Sequence, residues 1–458
     1  MTKFNTTNIK WTETKIGILG GGMSGIAAAK LGKYIGAEIF ISDSNNTSET
    51  VEKMCEFEYE AGVHSKKILG SDLVIISPGI PESIPIIRDC KYENIPIISE
   101  IEFASWFTTS PILALTGSNG KTTTVNLLHE MCISDGKNSF LGGNVGIPFS
   151  ENVLWELKSE IINPVHVLEL SSFQLEHIQS FSPIIAGLLN ISEDHMDRYK
   201  DIYEYSSNKI KLTKNMDNSG LVIYNADDPM LEKEFHNHAH SQFFSMQSHQ
   251  ESHFKLNASK IYSGSSDNPD ILFQLDETKL KGRHNLQNIL AAATMAHYFG
   301  ISPRAIRDAI TNFTPIPHRL EWIGNLNGVD YINDSKATNV TAALAAIESF
   351  DDQLIVIMGG LDKGHTDFSQ LDHLLINRVK NIVTYGQAGK SIMNQINTTI
   401  EVSYMKEFKA AVLKAAELSK SGNIILLSPA CASFDQFSDY EERGNTFKDI
   451  FNNLELGS

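Results

Sequence analysis

One pattern recurs from Lys15 to Ser433. A short run of apolar, largely β-branched residues ends in a small or polar loop, and a segment with helical spacing follows. KIGILG (15–20) leads into GIAAAKLGKYIG (25–36), and AEIFISD (37–43) and SDLVIISPGIP (71–81) come next. ILALTGSNGKTTTVNLLHEM (112–131), VHVLELSS (165–172) and IIAGLLNIS (184–192) repeat the pattern. So do GVDYINDSKATN (328–339), QLIVIMGGLDKG (353–364), KNIVTYG (380–386) and NIILLSPACAS (423–433). Such alternation implies βαβ units and parallel sheets, an α/β fold, because an apolar strand buried on both faces needs covering helices. At roughly 150 residues per domain, 458 residues make about three. TSPI (109–112) and the two prolines of TNFTPIPHRLEWIG read as connections. The expected domains are 1–108, 109–314 and 315–458. Each outer domain is expected to be Rossmann-like, and the central one a P-loop ATPase-like body with a parallel sheet.

In such sheets ligands bind at the carboxyl ends of strands, where this chain concentrates its unusual polar residues. TGSNGKTT follows the strand ILAL and opens a helix. Counting back from Lys121, its first glycine is Gly117, so the loop is two residues shorter than the Walker A pattern. Gly117, Ser118, Asn119 and Gly120 let backbone N–H groups turn inward, and Lys121 adds a full charge at a helix N-terminus. Thr122, with Thr123 beside it, stands where a P-loop hydroxyl ligates Mg²⁺. Glu169 ends the strand VHVLE and offers a metal-binding carboxylate. His195, with Asp194 and Asp197, follows another strand end as a Mg²⁺ or phosphate contact. Lys209 in YSSNKIKL is by itself a helix-surface charge.

A second glycine turn, GILGGGMSG, satisfies G-x-G-x-x-G at Gly20, Gly22 and Gly25 and precedes Asp43 at the next strand end. It fits a dinucleotide, and an NAD-linked oxidoreductase stays open at this point. HNHAHSQFFSMQSHQESHF (236–254) fits no common zinc spacing and reads as a polar excursion. With 38 Lys and Arg against 55 Asp and Glu, the chain carries −17 and has no excess of cations for nucleic acid or an anionic membrane. The four cysteines, Cys55, Cys90, Cys132 and Cys431, form no CxxC pair, which points to a reduced compartment. No signal sequence stands at the N-terminus, and no run of about 18 apolar residues occurs. The expectation is a cytoplasmic protein, and a monomer.

TGSNGKTT, GGNVG, ELSSFQLE, SEDHMDRY and DSKATN, in that order, resemble the Mur ligases, the ATP-dependent amide-forming enzymes of peptidoglycan assembly. SPGIP, MGGLDKG and LSPACASFDQF resemble the branch that adds D-glutamate. The resemblance implies that ATP activates a carboxylate as an acyl phosphate for attack by an amine. It implies two Mg²⁺ sites, one on Thr122 and Glu169, the other on His195 and a carbamylated Lys209. Carbamylation needs a neutral amine, hence desolvation or a nearby cation. Lys121, Glu169, His195 and Lys209 would then be the catalytic set. It further implies nucleotide contacts at Asn285, Asn288, Arg319 (beside His318) and Asp334. The UDP-N-acetylmuramoyl-L-alanine partner would meet Met23 and Ser24 at its pyrophosphate, Asp43 and Ser44 at uridine, and Ser77, Pro78 and Gly79 alongside. Asn144, Ser171 and His195 would face its muramoyl part. D-glutamate, with two carboxylates, would meet Lys336, Thr338, Lys363, Ser433 and Tyr440, the last where the family generally has Phe. The linkers near 108 and 314 would be hinges. A non-enzymatic ATP-binding scaffold would need the phosphate loop but not these lysines.

Overall fold

A computed structural model describes residues 9–159, 161–192, 198–247, 253–257, 260–263, 270–280, 283–314, 317–350, 353–362, 366–372, 375, 378–397 and 400–456. His195 and Lys363 therefore lie outside the described residues, as do Asp194 and Asp197. The chain divides into two compact units. One comprises residues 1–277 with 287–312, the other residues 278–286 with 313–458.

The first unit contains two large parallel sheets. In the first, the strand order is Glu58–Ala61, Glu38–Asp43, Lys15–Leu19, Leu73–Ile76, Ile97–Ser99. This doubly wound order reverses between Lys15–Leu19 and Leu73–Ile76, where the glycine turn and the SPGIP loop emerge side by side. Ile16, Ile18, Ile41 and Ile75 are almost wholly buried, each stabilising the fold by about 1.5–3 kcal/mol. Helix Met23–Tyr34 lays its small residues on this sheet. A Cβ at Gly25 would stand 1.9 Å from Gly20 O, so only glycine lets the helix start so close to the turn.

The second sheet runs Ser241–Phe244, Leu221–Asn225, Ile185–Leu188, Ile112–Thr116, Pro164–Glu169, Asn138–Gly143, with every pair parallel. Ile112–Thr116 is central and buried throughout, as its unbroken apolar run requires. Part of the 236–254 segment supplies the edge strand Ser241–Phe244, and 248–252 lie outside the described residues. A small antiparallel sheet, Phe254–Asn257, Lys260–Ser263 and Asp270–Gln274, has no counterpart in the sequence reading.

Two carboxylates, Glu102 buried and Glu156 half-buried, fasten the end of the first domain and the connecting segment to the second sheet. Glu102, 0% exposed, accepts hydrogen bonds from the backbone N–H groups of Gln179, Ser180 and Phe181, all at 2.8 Å, and from Trp106 Nε1 at 2.9 Å. Glu156 accepts from Thr108 Oγ1 at 2.8 Å and Ser110 Oγ at 2.5 Å, and pairs with buried His166 at 2.8 Å. Bending the chain near 108 would break these bonds.

The second unit is built on one sheet: Glu321–Leu326, Val329–Asn333, Ile424–Leu427, Leu354–Gly359, Val379–Tyr385, Glu401–Met405. The first pair is antiparallel and the rest parallel. Val356 and Met358 pack on one face, Ile355 and Ile357 on the other, so cores form on both sides. Among the described residues no helix is long and apolar enough to cross a membrane.

Candidate active site

The phosphate loop is held open by its neighbours. Gly120 (φ 81°) caps helix Lys121–Ser134, and a Cβ there would stand 2.2 Å from Asn288 Oδ1. Backbone freedom and close approach both demand glycine at this position. Ser118 N donates to Asn190 O at 2.9 Å. Ser118 Oγ donates to Ser192 O at 3.0 Å, and Asn119 N to Asn190 Oδ1 at 2.8 Å. Asn190 ends the strand stretch LLN, and its part in shaping the loop left no signal in the sequence. Lys121 Nζ donates to Gly117 O and Ser118 O, both at 2.7 Å. Lys209, 1% exposed, donates to the same Gly117 O at 2.8 Å with its ammonium 4.5 Å from the Tyr205 ring centroid. Two cations thus converge on one carbonyl of the loop. Thr122 is buried and Thr123 half-buried in the first helical turn.

Glu169 lies on the strand paired with Ile112–Thr116, register-matched to Leu115. It is 2% exposed. Oε1 accepts from Asn144 Nδ2 at 2.9 Å, and Asn144 N donates to Glu169 O at 2.7 Å. Oε2 is buried with no hydrogen-bond partner among the described residues. Such an oxygen is costly unless something binds it, and a carboxylate oxygen suits a hard cation such as Mg²⁺. The structure therefore brings together Gly117 to Thr123, Lys209, Glu169, Asn144 and Asn288. Ser171, two residues on, caps the short helix Ser172–Leu175 in a reciprocal pair with Gln174. Asn285 and Asn288 are both buried on helix Arg283–Tyr298, one turn apart.

On the first sheet, Gly21 N donates to Asp43 Oδ2 at 2.6 Å and Asn45 N to Asp43 Oδ1 at 2.7 Å. Ser77 Oγ donates to Gly20 O at 3.2 Å, joining the two loops at the switch point. Met23 (73% exposed), Ser44 and Gly79 are open to solvent, while Ser24, Ser77 and Pro78 are half-buried.

In the second unit, Asp334, Lys336 and Thr338 follow Val329–Asn333, and Ser433 follows Ile424–Leu427, the neighbouring strand. Lys336 Nζ lies 5.9 Å from the Tyr440 ring centroid. Ser335 Oγ donates to Tyr440 O at 2.7 Å. Buried Arg443, unsignalled in the sequence, donates to Ser335 O at 2.8 Å, Cys431 O at 3.1 Å and Tyr385 OH at 3.3 Å, tying these loops together. Asp334 accepts from Leu320 N at 3.2 Å and Ser428 Oγ at 3.1 Å. Burial pushes its carboxyl up to about 7. His318 is buried against Gly444, and Arg319 is half-buried beside Asp334.

Comparison with known proteins follows the same division. Residues 15–84 match the MurD N-terminal domain, 115–296 the Mur ligase middle domain and 318–431 the Mur ligase glutamate ligase domain, one on each large sheet. A protein of Christiangramia forsetii named UDP-N-acetylmuramoylalanine--D-glutamate ligase is 40% identical, over 96% of this chain and 99% of its own. A relative of the same name from Salinibacter ruber is 35% identical, over 96% and 98%. Among solved structures, MurF from Thermotoga maritima in complex with ADP superposes with a TM-score of 0.56 at 14% identity, covering 98% of this chain and 97% of that one. UDP-N-acetylmuramate-alanine ligase MurC from the same organism gives 0.54 at 20%, covering 96% and 100%. These matches remove the oxidoreductase reading that the first glycine turn left open. The chain belongs to the Mur ligases, in the family of the D-glutamate-adding enzymes.

Proposed function

We propose that this chain joins D-glutamate to UDP-N-acetylmuramoyl-L-alanine, converting ATP to ADP and phosphate. A carboxylate is a poor electrophile, and phosphorylation turns it into an acyl phosphate that an amine can displace. Stabilising phosphoryl transfer is chiefly a matter of placing cations around the equatorial oxygens. Lys121 reaches over the glycine loop, and helix Lys121–Ser134 directs its N-terminus at the same place. Thr122 and Glu169 would hold one Mg²⁺, and His195 with a carbamylated Lys209 the other. Bound there, the ions would neutralise charge developing on the transferred phosphoryl group. Lys209 is buried and shares Gly117 O with Lys121, and either desolvation or a neighbouring cation favours the neutral amine that carbamylation needs.

Asn288 belongs to the nucleotide site of the first unit in this proposal, and Asn285, Arg319 and Asp334 are the nucleotide contacts proposed on the second. Met23, Ser24, Asp43, Ser44, the 77–79 loop, Asn144 and Ser171 serve the UDP-sugar. Lys336, Thr338, Lys363, Ser433 and Tyr440 receive the amino acid. Domains 1–108, 109–314 and 315–458 supply most of the groups for the UDP-sugar, the nucleotide and the amino acid in turn. Every assigned group comes from one chain, so a monomer suffices, and four unpaired cysteines suit the cytoplasm. The observation that carries the reading is the buried, unpartnered Glu169 Oε2 one strand away from the phosphate loop. Phosphate release should require ATP, UDP-N-acetylmuramoyl-L-alanine and D-glutamate together in a panel of amino acids and UDP-muramoyl acceptors. Equal release without either acceptor would leave an ATP-binding scaffold instead.

A further inference from the structure

Arg198 sits at the junction of the two sheets of the first unit and uses its fork in two directions. Nη2 donates to Glu176 Oε2 at 2.6 Å, and Nη1 donates to Pro78 O at 3.1 Å. The guanidinium carbon lies 4.2 Å from the Phe173 ring centroid. Tyr199 OH donates to the other oxygen of Glu176 at 2.6 Å, and its ring stacks on Phe173 at 5.9 Å. The Arg198 and Glu176 side chains are 20% and 10% exposed, so the pair is screened only in part.

Each end of this cluster leads to a site. Pro78 belongs to the loop whose Ser77 bonds Gly20 O of the first glycine turn. Glu176 closes the short helix Ser172–Leu175, which begins just after the strand end that presents Glu169. Contacts therefore run from the first glycine turn, through Arg198, to the carboxylate beside the phosphate loop. A planar guanidinium can serve two acceptors in different directions at fixed angles, which an ammonium cannot do from the same place.

We infer that Arg198 is a positioning residue that sets the 77–79 loop against the Glu169 strand end, registering the UDP-sugar site with the nucleotide site. The inference rests on the UDP-binding role proposed for that loop. Arg198→Lys keeps a cation opposite Glu176 but lacks the second arm, and Arg198→Ala removes both. Titration calorimetry with UDP and, separately, with ADP reads the two sites without turnover. In Arg198→Lys the UDP dissociation constant should rise roughly ten- to hundredfold while that of ADP stays within about twofold, with the melting temperature retained. KM for the UDP-sugar should rise far more than KM for ATP. Unchanged UDP binding in a folded Arg198→Lys protein, or equal weakening of UDP and ADP, overturns the inference; should Arg198→Ala fail to fold, the lysine variant decides alone. A wild-type chain that binds ADP but no UDP overturns the functional reading and the inference with it.

Discussion

Glu100 is the place to press the energetics, because its cost follows from two groups and one helix end. It starts helix Glu100–Ser105, is 2% exposed, and accepts from Ser150 N at 2.5 Å in the first turn of helix Phe149–Lys158. Pro148 gives that helix no side-chain cap, so Glu100 supplies the acceptor from the first sheet. Its other oxygen has no partner among the described residues. Burial outweighs hydrogen bonding from Ser150 and pushes the carboxyl from 4.5 up to about 7. Between those values the folded chain binds more protons than the unfolded one, so stability falls as pH rises through the window. At roughly 1.4 kcal/mol per pH unit, the cost is absent below 4.5 and reaches about 3 kcal/mol above 7. Glu100→Gln keeps the acceptor for Ser150 N and cannot ionise. Its stability should lie within about 1 kcal/mol of wild type near pH 5 and exceed it by about 3 kcal/mol at pH 8, a rise in melting temperature of about 6 °C on a scale of roughly 2 °C per kcal/mol. Thermal scans of both proteins from pH 5 to 8 test this. A difference that does not change with pH, or a glutamine variant less stable at pH 8, refutes the reasoning.

Three further outcomes follow from the site. Gly120→Ala, strained at φ 81° and driven into Asn288, should lower phosphate release by about a hundredfold, as a 2–3 kcal/mol loss requires; near-normal release would mean the loop is not the phosphate site. Glu169→Gln should cut kcat by roughly 10²–10³ with little change in melting temperature, and a large fall in stability would mark the carboxylate as structural. Lys209→Ala should abolish turnover with no rescue by bicarbonate and some by a small added carboxylate, and unimpaired turnover would rule out its role.

What was legible in the sequence was local. The glycine turns read correctly because backbone geometry at Gly25 and Gly120 admits no side chain. The central strands read correctly because burial on both faces leaves an unbroken apolar run, as in Leu354–Gly359. Edge strands such as Glu58–Ala61 and Glu401–Met405 are exposed or half-buried along their length, and their sequences blur accordingly. The antiparallel strands of 254–274 are short and lie beyond a polar segment, so no run announced them. Glu102, Asn190 and Arg443 escaped for another reason. Each acts through partners distant in sequence, Glu102 at residues 179–181, Asn190 at the phosphate loop and Arg443 at residues 335, 385 and 431. Only folding supplies those neighbours.

Asp43 and Glu169 show how far the sequence signal reaches. Each is an acid at the end of a strand beside a glycine turn, and by spacing alone both look ready for a ligand. Folding separates them. Asp43 engages both oxygens with backbone N–H groups, of Gly21 and Asn45, so it shapes the turn whatever else it touches. Glu169 engages one oxygen with Asn144 and keeps the other buried without a partner among the described residues. An acid satisfied by its own chain gains little from a cation, whereas one with a buried free oxygen gains the desolvation cost already incurred. Beside a glycine turn, the state of the second oxygen thus separates an acid spent on shaping the turn from one with capacity left for a ligand, whereas Glu100, with a free buried oxygen of its own, takes up a proton instead. On the proposed reading, the cation would belong beside the turn closed by Lys121.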